Sequence, residues 1–124
     1  MAQGRICVSI PTDDEKTVKL GHFGDARLYL HYVYDPEART WRLERKVENP
    51  YAGEHHHEED EEHSKRPRIL ALQEGCNVIV AVAFGPGGEE YMKRRGIVVV
   101  RVRPRTGMDE ALRRVEEALG LARG

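Results

Sequence analysis

Asn77-Val78-Ile79-Val80-Ala81-Val82-Ala83-Phe84 is apolar at every position after the first, and it is followed by Gly85-Pro86-Gly87-Gly88. A strand with one wet face alternates polar and apolar residues, whereas an unbroken run rich in β-branched side chains is a strand covered on both faces. Such coverage needs helices above and below a sheet, so the run predicts the layered α/β class. Its flanks agree. Upstream, Arg68–Gly75 reads as a helix, with Ser64 as a candidate N-cap and Gly75 as the stop. Downstream, Glu89–Arg95 reads as a short helix closed by Gly96, and Ile97–Val102 as another apolar strand. Met108–Leu119 sets Leu112, Val115 and Leu119 on one stripe, with Asp109 and Glu110 near the positive end of the helix.

The amino-terminal half reads as strands. Arg5–Ile10 is rich in β-branched residues and meets Pro11, where the strand is expected to stop. Arg27–Tyr34 alternates Leu28, Leu30, Tyr32 and Tyr34 with other residues, Asp35-Pro36-Glu37-Ala38 makes a turn, and Trp41–Val47 runs back as a hairpin partner that ends at Asn49-Pro50. The expected order is β-β-β-α-β-α-β-α: a mixed five-stranded sheet between helices, a three-layer α/β/α fold with right-handed parallel crossovers. Residues 1–124 read as a single domain, with disorder expected only at about residues 51–65.

The chain has 124 residues, 40% apolar and 33% charged, enough for one domain with a real core. A formal net charge of −1 gives no pull on nucleic acid or anionic lipid, and neither partner is expected. No apolar run approaches the roughly 20 residues of a membrane span, and the start of the chain lacks a signal-peptide pattern, so the cytoplasm is the expected compartment. Two Asn, two Gln and abundant Arg and Glu point to a thermophilic source. Cys7 and Cys76 read first as buried free thiols, with a disulfide or a split metal site as the alternatives.

Three stretches carry candidate chemistry. Residues 53–66 contain no apolar side chain and mix four imidazoles (His55, His56, His57, His63) with six carboxylates. They form either a solvated linker or a segment that captures a divalent transition metal, to which imidazole and carboxylate are suited. Gly21-His22-Phe23-Gly24-Asp25 follows the first strand, near the carboxyl end where ligands sit in open α/β sheets. Its glycines are expected to permit unusual backbone angles and to expose the His22 ring. Phe84-Gly85-Pro86-Gly87-Gly88 opens a helix and reads either as a tight connection or as a set of amides facing an anion. It is neither a Walker loop nor a dinucleotide fingerprint. Ser9 and Ser64 have no convincing base, and a two-metal nuclease would need carboxylates on core strands that here carry Cys7 and Ser9 or no acid at all.

Taken together, Arg5–Pro11, Gly21-His22-Phe23-Gly24-Asp25-Ala26, Val47-Glu48-Asn49-Pro50 before the histidine-rich stretch, and Gly75–Val102 resemble the dinitrogenase iron–molybdenum cofactor biosynthesis family. That family includes the small NifX- and NafY-like proteins and the tail domain of NifB. The resemblance implies a ribonuclease H-like fold and a non-catalytic carrier of the iron–molybdenum cofactor or its iron–sulfur precursor, passed between cofactor-assembly proteins. It implies that His22 is a cluster contact, with Phe23, Gly24, Gly85 and Gly87 shaping the same end of the sheet. Asp25 stands where the family often has Arg. The alternatives to a cluster carrier are a divalent-metal binding or sensing module that uses His55, His56, His57 and His63, or a protein-interaction domain with a solvated loop. The sequence leaves the oligomeric state open.

Overall fold

The computed structural model describes residues 5–52 and 59–121. Five strands, β1 (Cys7–Thr12), β2 (Leu28–Asp35), β3 (Thr40–Glu48), β4 (Val78–Ala81) and β5 (Val98–Arg101), form one sheet in the order β3-β2-β1-β4-β5. The β1/β2 and β2/β3 pairs are antiparallel, while β1/β4 and β4/β5 are parallel. Helix α1 (Glu59–Leu72) leads into β4, α2 (Gly88–Arg94) joins β4 to β5, and α3 (Met108–Leu119) closes the fold.

The period-2 alternation of the central strands divides the core in two. Val8, Ile10, Val78, Val80 and Val100 pack with Ala111, Leu112 and Val115 of α3. The alternate residues Tyr29, Ile79 and Ala81 pack with Ile69 of α1, Met92 of α2 and Phe23. The sheet is therefore covered by helices on both sides, and burial at roughly 25 cal/mol per Å2 of apolar surface holds each layer. Trp41 Nε1 donates to the buried Glu116 carboxylate at 2.8 Å, tying β3 to α3. At the hairpin turn, Asp35 Oδ1 accepts the Glu37 and Ala38 N–H groups at 2.9 and 3.1 Å.

Four expectations need correction. First, β1 continues through Pro11, which pairs with Tyr29. The Cys7 carbonyl accepts from Asn77 on the β4 side, and by the alternation of the strand Pro11 faces that side too. The last β1–β4 partners are Ser9 and Ile79, so the missing N–H of Pro11 costs no ladder bond. Second, α1 begins at Glu59, which makes Ser64 an interior helical residue and not a cap. Glu, Lys and Arg propagate a helix well, so a polar composition is compatible with this helix. Of the segment 51–65 expected to be disordered, residues 53–58 lie outside the described residues, and α1 begins at Glu59. Third, β4 ends at Ala81, and of the three residues beyond it Ala83 bridges to His22 while Phe84 lines the cavity described below. Fourth, Cys7 and Cys76 are joined as a disulfide, not free thiols. Their Cα atoms, one at the start of β1 and the other just before the parallel strand β4, stand 4.4 Å apart, within disulfide reach.

Candidate functional site

The loop after β1 is fastened to the carboxyl end of the sheet. His22 forms a parallel bridge with Ala83, and the Phe23 N–H donates to the Ala83 carbonyl at 2.9 Å. Phe23–Asp25 then makes a single 3-10 turn. Phe23 is 1% exposed, its ring 5.0 Å from Tyr29 and 5.6 Å from Phe84. It anchors the loop as an apolar wall and offers no ligand atom. His22, one residue earlier, therefore points outward: its side chain is 53% exposed, with Nδ1 3.9 Å from the Asp25 carboxylate.

Two buried polar side chains hold this turn. Tyr29 donates its hydroxyl to the Phe23 carbonyl at 2.8 Å, and burial pushes its phenol pKa far above the usual value. Asn49 Nδ2 donates to the Ala26 carbonyl at 2.8 Å and to the Gly24 carbonyl at 3.1 Å, while its Oδ1 accepts the Tyr51 N–H at 2.9 Å. Asn49 ends the hairpin, as its place before Pro50 predicts, and also clamps the turn, a role set by contacts with residues far off in the chain that no local pattern signals.

Between this loop, α1 and the Phe84–Gly88 turn lies a cavity of about 110 Å3, with Phe23, Ile69, Phe84 and Met92 among its apolar walls and His22 and Lys65 at its polar edge. That volume is below the roughly 300 Å3 of an ordinary small-ligand pocket, so a bulky guest would enter only in part and keep an open face. Lys65 Nζ pairs with the Asp25 carboxylate at 2.7 Å. The acid at position 25 is thereby balanced from α1. Arg66 donates to the Pro86 carbonyl, which ties α1 to the turn after β4.

The glycines act otherwise than expected. Among the described glycines, positive φ occurs at Gly75, Gly87, Gly96 and Gly120, and neither Gly21 nor Gly24 belongs to that set. A Cβ at Gly24 would make ordinary contacts of 3.6 Å with Ile69 and 3.8 Å with Lys65. Gly87 does need its freedom, with φ 77° and a would-be Cβ 2.8 Å from the Arg66 guanidinium. Gly85 lines the cavity, but its carbonyl takes the Gly88 N–H at 3.0 Å, so that amide is spent within the turn. The structure thus brings together His22, Phe23, Gly24 and Gly85, with Gly87 just behind. His63 falls within α1, and His55, His56 and His57 lie outside the described residues.

An exposed imidazole beside a small apolar hollow at the carboxyl end of the sheet is the candidate site. Residues 4–118 match the sequence profile of the dinitrogenase iron–molybdenum cofactor family, and the chain belongs to that family. Among solved structures it resembles one described as a candidate NifB protein from Thermotoga, TM1290, assigned to the DUF35 family, at 23% identity and TM-score 0.57, covering 90% of this chain and 88% of the other. It also resembles the crystal structure of PH0822 at 23% identity and TM-score 0.54, covering 77% and 76%. At that identity the likenesses speak for the fold alone. Among curated proteins none matches the sequence. No helix among the described residues is long and apolar enough to cross a membrane.

Proposed function

We propose that this protein is a non-catalytic carrier for an iron–molybdenum-type cofactor or its iron–sulfur precursor, built on a ribonuclease H-like sheet, with His22 as the protein ligand. The observation that carries the reading is the exposed His22 ring on a rigidly stapled turn, beside a hollow too small to engulf a guest. One imidazole leaves most coordination positions of a cluster open, as release to an acceptor protein requires. Membership in the iron–molybdenum cofactor family supports a place in cofactor assembly.

The test is transfer. The protein is loaded anaerobically with isolated iron–molybdenum cofactor, separated from free cofactor, and mixed with cofactor-free dinitrogenase. The reading expects iron and molybdenum to co-elute with the protein and then to move to the acceptor. Removing residues 55–63 should weaken loading without abolishing it. If loading vanishes with that segment while nickel or zinc still binds the intact chain, the protein is a divalent-metal module instead.

A further inference from the structure

The end of the sheet opposite His22 carries a second set of ligand-type side chains that the carrier reading leaves unused. Cys7 opens β1, Cys76 shortly precedes the parallel strand β4, and His31 lies on β2 next to the β1 residue Ser9. Along β1 roughly 17 Å separates this end from the end that leads to the His22 loop. Cys7 is 2%, His31 0% and Cys76 6% exposed. One ligand atom from each lies within 4.8 Å of the others.

The disulfide accounts for the cysteines but not for the imidazole. A histidine buried on an interior strand carries a desolvation cost that an aliphatic residue would not. This ring is also held by a specific set of partners. Gln73 Nε2 donates to the Ile69 carbonyl at 3.1 Å, which turns its Oε1 toward Ser9 and His31. Ser9 donates its hydroxyl to that oxygen, and His31 Nε2 lies 3.4 Å from it. A carbonyl oxygen there requires the ring proton on Nε2, which leaves the lone pair on Nδ1, 3.4 Å from the Arg45 guanidinium. Arg45 is in turn anchored on the Glu74 carbonyl at 2.9 Å. One ring nitrogen fixed as a donor to a carbonyl is how ligating histidines are oriented, and the lone pair of the other is held by Arg45, which must swing aside for a metal–nitrogen bond to form.

We propose that Cys7, Cys76 and His31 form a redox-gated site for one thiophilic d10 ion, zinc or Cu(I), opened when the disulfide is reduced. An external dithiol supplies two electrons and two protons: the Cys7–Cys76 S–S bond breaks, two thiols form, and the dithiol closes to its own disulfide. Binding the ion then forms two metal–sulfur bonds and one metal–nitrogen bond, and the two thiol protons leave to solvent. Thiolate pairs select soft ions. Three protein ligands suffice for trigonal Cu(I), whereas zinc would add a water in the fourth position. With Cu(I) the site carries one negative charge beside Arg45; with zinc it is neutral.

The experiment uses the full chain with His55, His56, His57 and His63 changed to Gln, so that the polyhistidine segment does not compete. After anaerobic reduction by a dithiol and desalting, it is titrated with Co2+ as a probe for zinc and, separately, with Cu(I) against a chelator. The expected result is one ion per chain, thiolate charge-transfer absorption only in the reduced protein, and two sulfur donors with one nitrogen by X-ray absorption. Cys76→Ser should abolish the thiolate absorption. Gln73→Leu, which keeps all three ligands, should weaken binding by about 10–100-fold. His22→Ala should leave the Co2+ and Cu(I) titrations at this site unaltered while impairing cofactor loading, which separates this proposal from the carrier reading. If the reduced chain unfolds, added ion should restore its far-UV circular dichroism. A reduced chain that gives no thiolate absorption with either ion, or fails to refold with either, overturns the proposal; so does a two-sulfur signature that persists in Cys76→Ser.

Discussion

Replacing Asn49 should loosen the site without touching it. In Asn49→Ala the buried Ala26 carbonyl loses its 2.8 Å donor, the Gly24 carbonyl its 3.1 Å donor, and the Tyr51 N–H its 2.9 Å acceptor. An orphaned buried carbonyl costs about 1–3 kcal/mol, and each of the two less buried bonds about 0.5–1.5 kcal/mol net. Water reaching the outer two groups lowers the sum, and we expect a loss of about 3 kcal/mol. For a chain of this length that corresponds to a fall in Tm of roughly 9–15 °C. Asn49→Asp is the sharper variant, because it sets a carboxylate oxygen against two carbonyl oxygens. A buried carboxylate that keeps only the Tyr51 N–H as donor and faces two carbonyl oxygens has its folded pKa raised, so its favourable contribution is present below the unfolded value near 4 and is lost as pH rises. Asn49→Asp should therefore be less stable than Asn49→Ala at pH 7 and should close that gap on acidification. Chemical denaturation at pH 7 and pH 4 measures both. A loss below about 0.5 kcal/mol in Asn49→Ala, the size of an ordinary surface change, would refute the clamp.

Three further outcomes follow from the same structure. Reducing the Cys7–Cys76 disulfide, or making Cys7→Ser/Cys76→Ser, opens a link spanning 69 residues, and chain entropy sets the loss at about 4 kcal/mol, to be read by guanidinium denaturation with and without dithiol. Tyr29→Phe removes the donor to the Phe23 carbonyl and should cost about 1–2 kcal/mol by thermal melting. Asp14 accepts the Thr17 and Lys16 backbone N–H groups, which hold its carboxyl well below the usual range. Its contribution is present above the unfolded pKa and lost as pH falls through the lower folded value, so Asp14→Asn should flatten the acid limb of stability below about pH 4.

The fold was legible because its signals are local. The run after Asn77 marked a strand covered on both faces, the alternation of Leu28, Leu30, Tyr32 and Tyr34 marked the hairpin, and the stripe of α3 matched its observed bounds Met108–Leu119. What sequence reading missed depends on contacts between distant residues. The pairing of Cys7 with Cys76 follows from parallel alignment of β1 and β4, which no local pattern encodes. Pro11 read as a stop because its freedom from β4 is a property of sheet order. At the site, His22 was visible from its glycine neighbours, yet the reason it is exposed lies elsewhere: Phe23 is pinned inward by Tyr29 and Phe84, with Asn49 clamping the turn behind it. The pairing of Asp25 with Lys65 depends on the longer α1, which the acidic composition of residues 58–62 had concealed.

Loading of the wild-type chain and of His22→Ala with isolated iron–molybdenum cofactor, side by side under anaerobic conditions, tests the central claim most directly. With equal folding confirmed by melting, the account predicts that cofactor absorption and molybdenum co-elute with the wild-type chain and that His22→Ala retains at most about a tenth, a difference of at least ~1.4 kcal/mol. Equal retention by both chains, or none by either, would contradict it.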